Sequence, residues 1–222
     1  MKGKRKSPFE RDFGEVANRF PKLTYGWVQT AKIWMITGEL DICDTEGVYW
    51  DTFMIAIFVP RAYPYCVPIV MEKSNLIPRD IAWHISPEGF CCLDVGHNLT
   101  ALSKKGINMA DFIASKIYTY FANQLYKLAE KHYAGDEYAH HVDGILQYYI
   151  EELRLPGAAG TLSVLNSVIN NSGISRNDTC PCGSGLKVKN CHQREIETIK
   201  TLGYDRVKTD WKDIAAIKNA IT

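Results

Sequence analysis

Apolar positions along the chain change period twice, and each change marks a change of structure. "FERDFGEVANRF" places Phe9, Phe13, Val16 and Phe20 at helical spacing until Pro21 stops it, which predicts one short N-terminal helix. "AKIWMITGELDIC" and "VYWDTFMIAIFV" are rich in β-branched and aromatic residues and are separated by "DTEG", so they predict a strand meander. Pro60, Pro64 and Pro68, four apart in "PRAYPYCVPIV", exclude a helix and predict an extended loop feeding a short strand. From about Asn108 the helical period returns. Ile113, Ile117, Phe121, Leu125 and Leu128 predict a long helix to Tyr133 that Gly135 breaks, and Tyr138, Val142, Ile145, Tyr149 and Leu153 predict a second from about Asp136 to Leu155. "PGAAG" reads as a stop and linker, a short helical stretch follows near "LSVLNSVI", and two short helical pieces close the chain.

The pattern predicts an α+β fold: an antiparallel meander between an N-terminal helix and C-terminal helices, plus a small C-terminal module. The boundaries it suggests are a main domain over 1–155, a linker over 156–174, and a metal module with a helical tail over 175–222. With 222 residues, the chain has room for one full core and a smaller unit. A net charge of +1 and 23% charged residues give no field that would draw nucleic acid, and the basic "KGKRK" reads as a solvated end. "YTYF" and "QYYI" lack the interleaved basic residues of a base-stacking groove. The apolar run "MIAIFV" falls far short of the roughly 20 residues a membrane helix needs, so a cytoplasmic protein without membrane contact is expected.

The seven cysteines are odd in number and cluster unevenly, which argues against a secreted disulfide framework. Cys180, Cys182, Cys191 and His192 form C-x-C-x8-C-H, three soft thiolates and an imidazole, the ligand set of a closed tetrahedral structural zinc site. Gly183 and Gly185 permit the chain to fold back between the pairs, and Lys187 and Lys189 would offset the charge of three thiolates. "RNDTCPCGSGLKVKNCH" closely resembles the SEC-C zinc module, which implies a zinc-stabilised docking element for a protein or ribosome-like partner.

"FVPRAYPYCVPIV" followed by "HISPEGFCCLD" and then helices resembles the ubiquitin-conjugating (UBC) fold over roughly Phe9 to Tyr133. That resemblance implies a four-strand meander, a proline-rich turn and a nucleophilic cysteine before Leu-Asp, here Cys92, 28 residues after Pro64. Cys91 falls where the family has an apolar residue. Side chains of an extended segment alternate between faces, so only one of the two thiols can face a cleft, and Cys91 is expected to behave as a buried hydrophobe. His84, eight residues before Cys92, replaces the asparagine that in the family supports the active-site loop or the oxyanion. An imidazole there suits either hydrogen-bond donation to the oxyanion or proton acceptance from an attacking amine, and a loop histidine without a chemical step is the other reading. His97 is a weaker candidate for the same work. Cys43 and Cys66 are expected to be buried and inert, His140-His141 to face solvent, and Asp136 and Glu137 to favour the start of the second helix.

The resemblance implies a conjugating enzyme that takes a partner protein's glycine-ended C-terminus as a Cys92 thioester and passes it to an amine. Similar enzymes occur in bacterial anti-phage (CBASS) operons, where the partner is a nucleotidyltransferase. The chain has no Gly-rich phosphate loop after a strand, so activation is expected to come from an enzyme on another chain or to follow another route. The alternatives are a non-catalytic UBC-like scaffold that uses the zinc module for docking, and a redox switch through a strained Cys91-Cys92 disulfide.

Overall fold

The computed structural model describes residues 6–135, 141–170 and 173–220, so Asp136, Glu137, Tyr138, His140 and the side chain of His141 lie outside the described residues. The chain forms two compact units: 1–94 with 102–136, and 95–101 with 137–222.

The first unit opens with helix α1 (Pro8–Arg19). Ser7 caps it by accepting from the Glu10 amide, the Glu10 carboxylate accepts from the Ser7 amide, and Pro8 occupies the first turn, where its missing N–H is no loss. Phe9, Phe13 and Val16 are buried, as their spacing predicts. Strands β1 (Leu23–Val28), β2 (Ile33–Cys43), β3 (Tyr49–Val59) and β4 (Ile69–Glu72) follow as an antiparallel sheet in the order β1-β2-β3-β4. The β2–β3 turn closes on Asp44, whose carboxylate accepts from the amides of Glu46 and Val48. Strand β1 is one that hydrophobic alternation does not announce. It is a short edge strand with Gly26 at its centre and an almost wholly exposed side-chain pattern.

One sheet face buries Ile36, Leu40, Ile42, Phe53, Ile55, Ile57 and Val70. The helical segment after it is less regular than expected. Helix α2 (Gly96–Lys105) comes first, and then α3 (Met109–Phe112), a π-helical stretch (Ile113–Tyr118) and α4 (Thr119–Glu130) run on without a break. Ile113, Ile117 and Phe121 are buried, with the Phe121 ring 4.5 Å from that of Phe53, whereas Leu125 and Leu128 are only half-buried and Gln124 is buried instead. Cys43 and Cys66 are half-buried rather than buried.

The second unit corrects two expectations. Residues 156–174 are not a linker: "PGAAG" opens helix α6 (Gly157–Ile169), and Val164 and Leu165 belong to the unit's core. The glycine serves packing, since a Cβ on Gly160 would lie 2.5 Å from the Pro156 ring and 3.2 Å from the Cys182 carbonyl oxygen. The boundary expected at 155 lies instead near 136, because α5 (His141–Glu151) contributes Tyr148 and Tyr149 to the same core. Helices α7 (Gln193–Leu202) and α8 (Tyr204–Ala220) complete it with Ile196, Ile199, Leu202, Val207 and Ile214. Among the described residues no helix is long and apolar enough to cross a membrane.

Candidate functional sites

The chain between β4 and α2 carries Cys91 and Cys92. It leaves the sheet, makes a 3-10 turn (Ile81–Trp83), and turns back at His84, whose φ of 50° is left-handed. On the return, Phe90 bridges to Met71 and Cys91 to Ile85, and the Cys91 amide donates to Val70 O at 2.8 Å. The Cys92 amide donates to His84 O at 2.8 Å. The structure thus joins His84 and Cys92 through the backbone, and the imidazole ring lies 5.7 Å from the Tyr133 ring. An ion pair on a buried carboxylate pins the base of this loop: half-buried Arg79 meets buried Glu72 at 2.6 Å and also donates to Glu72 O and Asn75 Oδ1. Gly89 sits against it with φ of +98°, where a Cβ would come within 2.6 Å of Glu72 O.

The two neighbouring thiols have different surroundings. Cys92 is exposed and Cys91 half-buried, so Cys91 is less enclosed than a core residue. Burial pushes the Cys91 thiol up to about 12. Cys92, exposed as a residue, has its sulfur partly covered, and its thiol is also raised, first by that burial and then by the charge of Asp94, whose carboxylate is held by Lys116 Nζ at 2.6 Å. Neither environment favours the thiolate. Alkylation of Cys92 by a neutral haloacetamide should therefore rise with pH through a range above that of an ordinary thiol. Asp94→Asn removes the opposing charge and leaves the Lys116 ammonium, so alkylation near neutral pH should become about threefold faster. Site-resolved mass spectrometry reads both rates, and an unchanged or slower variant would remove Asp94 from the account.

His97 is engaged elsewhere by its own packing. It belongs to the second unit, fully buried, with Nε2 2.6 Å from Asp210 Oδ2 and its ring stacked on Tyr148 at 4.6 Å. Asp210 also accepts from Tyr149 Oη at 2.8 Å and meets Arg206 Nε at 2.9 Å. This interior network answers the cost of burying a carboxylate. Nothing in the local spacing of His97 and Asp210, over a hundred residues apart, announces it.

The four predicted metal ligands do come together. The ligand atoms of Cys180, Cys182, Cys191 and His192 lie within 4.8 Å of one another. Cys182 and Cys191 sulfurs are 3.6 Å apart, and His192 Nδ1 is 3.5 Å from Cys180 Sγ and 3.1 Å from Cys191 Sγ. Tetrahedral zinc with ordinary bond lengths separates two sulfurs by about 3.8 Å and a sulfur from a nitrogen by about 3.6 Å. The cage fits a small tetrahedral cation, with the His192–Cys191 edge somewhat tight. A short antiparallel turn builds it: Cys180 N donates to Leu186 O, and Val188 N to Asp178 O. Gly183 and Gly185 adopt φ of 89° and 74°. Lys187 and Lys189 stand exposed on either side of buried Val188. His192 Nε2 donates to the Arg154 carbonyl at 3.1 Å, which orients the ring so that Nδ1 faces the sulfurs.

Residues 176–194 match the SEC-C motif, and no solved structure matches the chain. The motif and the four-residue cage together define a metal-binding module.

Proposed function

We propose that the first unit is a UBC-like conjugating domain in which Cys92 carries a partner protein's C-terminal acyl group as a thioester and hands it to an amine. The observation that carries the reading is an exposed Cys92 on a loop fastened at two points, by its own amide on the His84 carbonyl and by the amide of half-buried Cys91 on the Val70 carbonyl. An N-terminal helix followed by a four-strand antiparallel meander supports it.

In the first step the Cys92 thiolate attacks the carbonyl carbon of an activated C-terminal glycine. A C–S bond forms, and the activating group leaves with the electron pair of its broken bond. An amine then attacks the same carbon, the C–N bond replaces the C–S bond, the thiolate returns, and the amine's proton passes to a base. His84 is the residue on this loop suited to take that proton or to donate to the oxyanion. On this reading the activated donor is supplied by another chain or by another route. The donor class is a protein with a glycine-ended C-terminus, and a nucleotidyltransferase of an anti-phage operon fits that class.

The metal of the second unit is read as zinc in a structural role, because four protein ligands leave no open position. A scaffold without catalysis is the second reading, favoured by the upward push on the Cys92 thiol. Incubation with an activated glycine-ended donor separates the two. A higher-mass species that disappears on thiol reduction supports the carrier, and its absence with a donor shown to be active supports the scaffold.

A further inference from the structure

Helix α4 presents three polar side chains at a spacing of four and three, Tyr120, Gln124 and Lys127, which places them on one face. They donate to three consecutive carbonyls of the His84 loop. Tyr120 Oη shares its one hydrogen between His84 O at 3.1 Å and Trp83 O at 3.3 Å, Gln124 Nε2 reaches Trp83 O at 3.1 Å, and Lys127 Nζ reaches Ala82 O at 2.5 Å. Tyr133 backs the row, with its hydroxyl 3.2 Å from Gln124 Nε2 and its ring 3.9 Å from Lys127 Nζ. Tyr120 and Gln124 are buried. A buried amide is costly unless bonded, and an apolar residue would fill this space without that cost, so the polar row must be explained by what it holds.

What it holds is a single short turn, capped at its start by Asp80, whose carboxylate accepts from the Ala82 amide, and closed by the Trp83 and His84 amides on Asp80 O and Ile81 O. A single 3-10 turn ends at a non-glycine residue in left-handed conformation, a shape that persists only when its surroundings impose it. The last carbonyl in the row, His84 O, is also the acceptor of the Cys92 amide. One oxygen therefore joins the α4 row to the cysteine backbone.

We propose that the Tyr120–Gln124–Lys127 face of α4 is a positioning device for the Cys92 centre: it fixes the 82–84 carbonyls and, through His84 O, the backbone of Cys92. These are positioning residues, and their part in acyl transfer rests on the conjugating reading above. Their hold on the cysteine is independent of that reading and can be measured without a donor.

The test uses Gln124→Glu, Tyr120→Phe and Lys127→Met in the full chain. A glutamate at 124 has no hydrogen to give the Trp83 carbonyl while ionised and regains one on protonation. Amide exchange over residues 84–92 should then be about tenfold faster than in the unchanged protein near pH 7, with the ratio narrowing near pH 5, while exchange in β2 and β3 stays as it was. Tyr120→Phe should speed exchange in the same segment at both pH values. A general packing defect would instead loosen the sheet with no dependence on pH. If Gln124→Glu does not fold, Tyr120→Phe and Lys127→Met decide the matter by the same segment-specific exchange. Exchange within about twofold of the unchanged protein in the folded variants would overturn the proposal. If Cys92 also forms a thioester, aminolysis should fall about tenfold in Tyr120→Phe with loading nearly retained. A protein that never loads, yet shows the exchange pattern, would fail the conjugating reading and keep the positioning device.

Discussion

Stripping the metal from the Cys180, Cys182, Cys191 and His192 cage should unfold the second unit while leaving the first folded. Cys180 and Cys182 are buried members of the same apolar cluster as Tyr148, Tyr149, Leu155, Val164 and Ile199, so the cage is part of that core rather than an attachment to it. Without the cation, three sulfurs and an imidazole nitrogen crowd together with only weak hydrogen bonds between them, and the Cys182 carbonyl against Gly160 loses its fixed position. Structural zinc contributes on the order of 10 kcal/mol to folding in small modules, which exceeds the total stability of many domains. Chelation followed by a thermal melt, with amide exchange resolved by segment, is the measurement. The expected result is loss of protection across α5, α6, α7 and α8 with β2 and β3 unaffected, and Cys180→Ser should do the same without chelator. Verified metal removal that leaves α6 and α7 protected would refute the structural role.

Replacing Cys92 with alanine should abolish the reductant-sensitive adduct, and Cys91→Ala should leave it largely intact. The asymmetry follows from the different exposure of the two thiols and from the burial that pushes Cys91 up to about 12, where almost none of it is thiolate near neutral pH. Loss of the attacking atom is complete by nature. Loss of Cys91 removes only a half-buried sulfur, with a stability cost of about 1 kcal/mol. Gel mobility with and without reductant, with the modified peptide mapped by mass spectrometry, distinguishes them. An adduct that survives Cys92→Ala and vanishes in Cys91→Ala would move the nucleophile by one residue.

Much of this was legible because the responsible signals are local. Phe9, Phe13 and Val16 repeat within one helix, β2 and β3 announce themselves by composition, and the four metal ligands lie within thirteen residues of each other. Alternation along an extended segment sets Cys91 apart from Cys92, in line with their half-buried and exposed positions. The unread features are non-local. Gly160 looks like a linker glycine until the Cys182 carbonyl is placed against it, and His97 looks available until Asp210 and Tyr149 arrive from the far end of the chain. The α4 row escapes a hydrophobic reading for another reason: Gln124 is buried on account of the carbonyl it meets, and no apolar period marks such a residue. The π-helical stretch at Ile113–Tyr118 likewise has no signature in a 3.6-residue period.

His97 also limits how the chain can be divided. Residues 95–101 precede the last part of the first unit in sequence yet cluster with the second. A fragment ending near 136 keeps the imidazole but discards Asp210, Tyr148 and Tyr149, and a fragment beginning there keeps the carboxylate and loses its imidazole. Each piece would carry half of a hydrogen-bonded pair whose two side chains are both buried. The two units are distinct as bodies and inseparable as polypeptides, so an activity assigned to either has to be measured in the uncut chain.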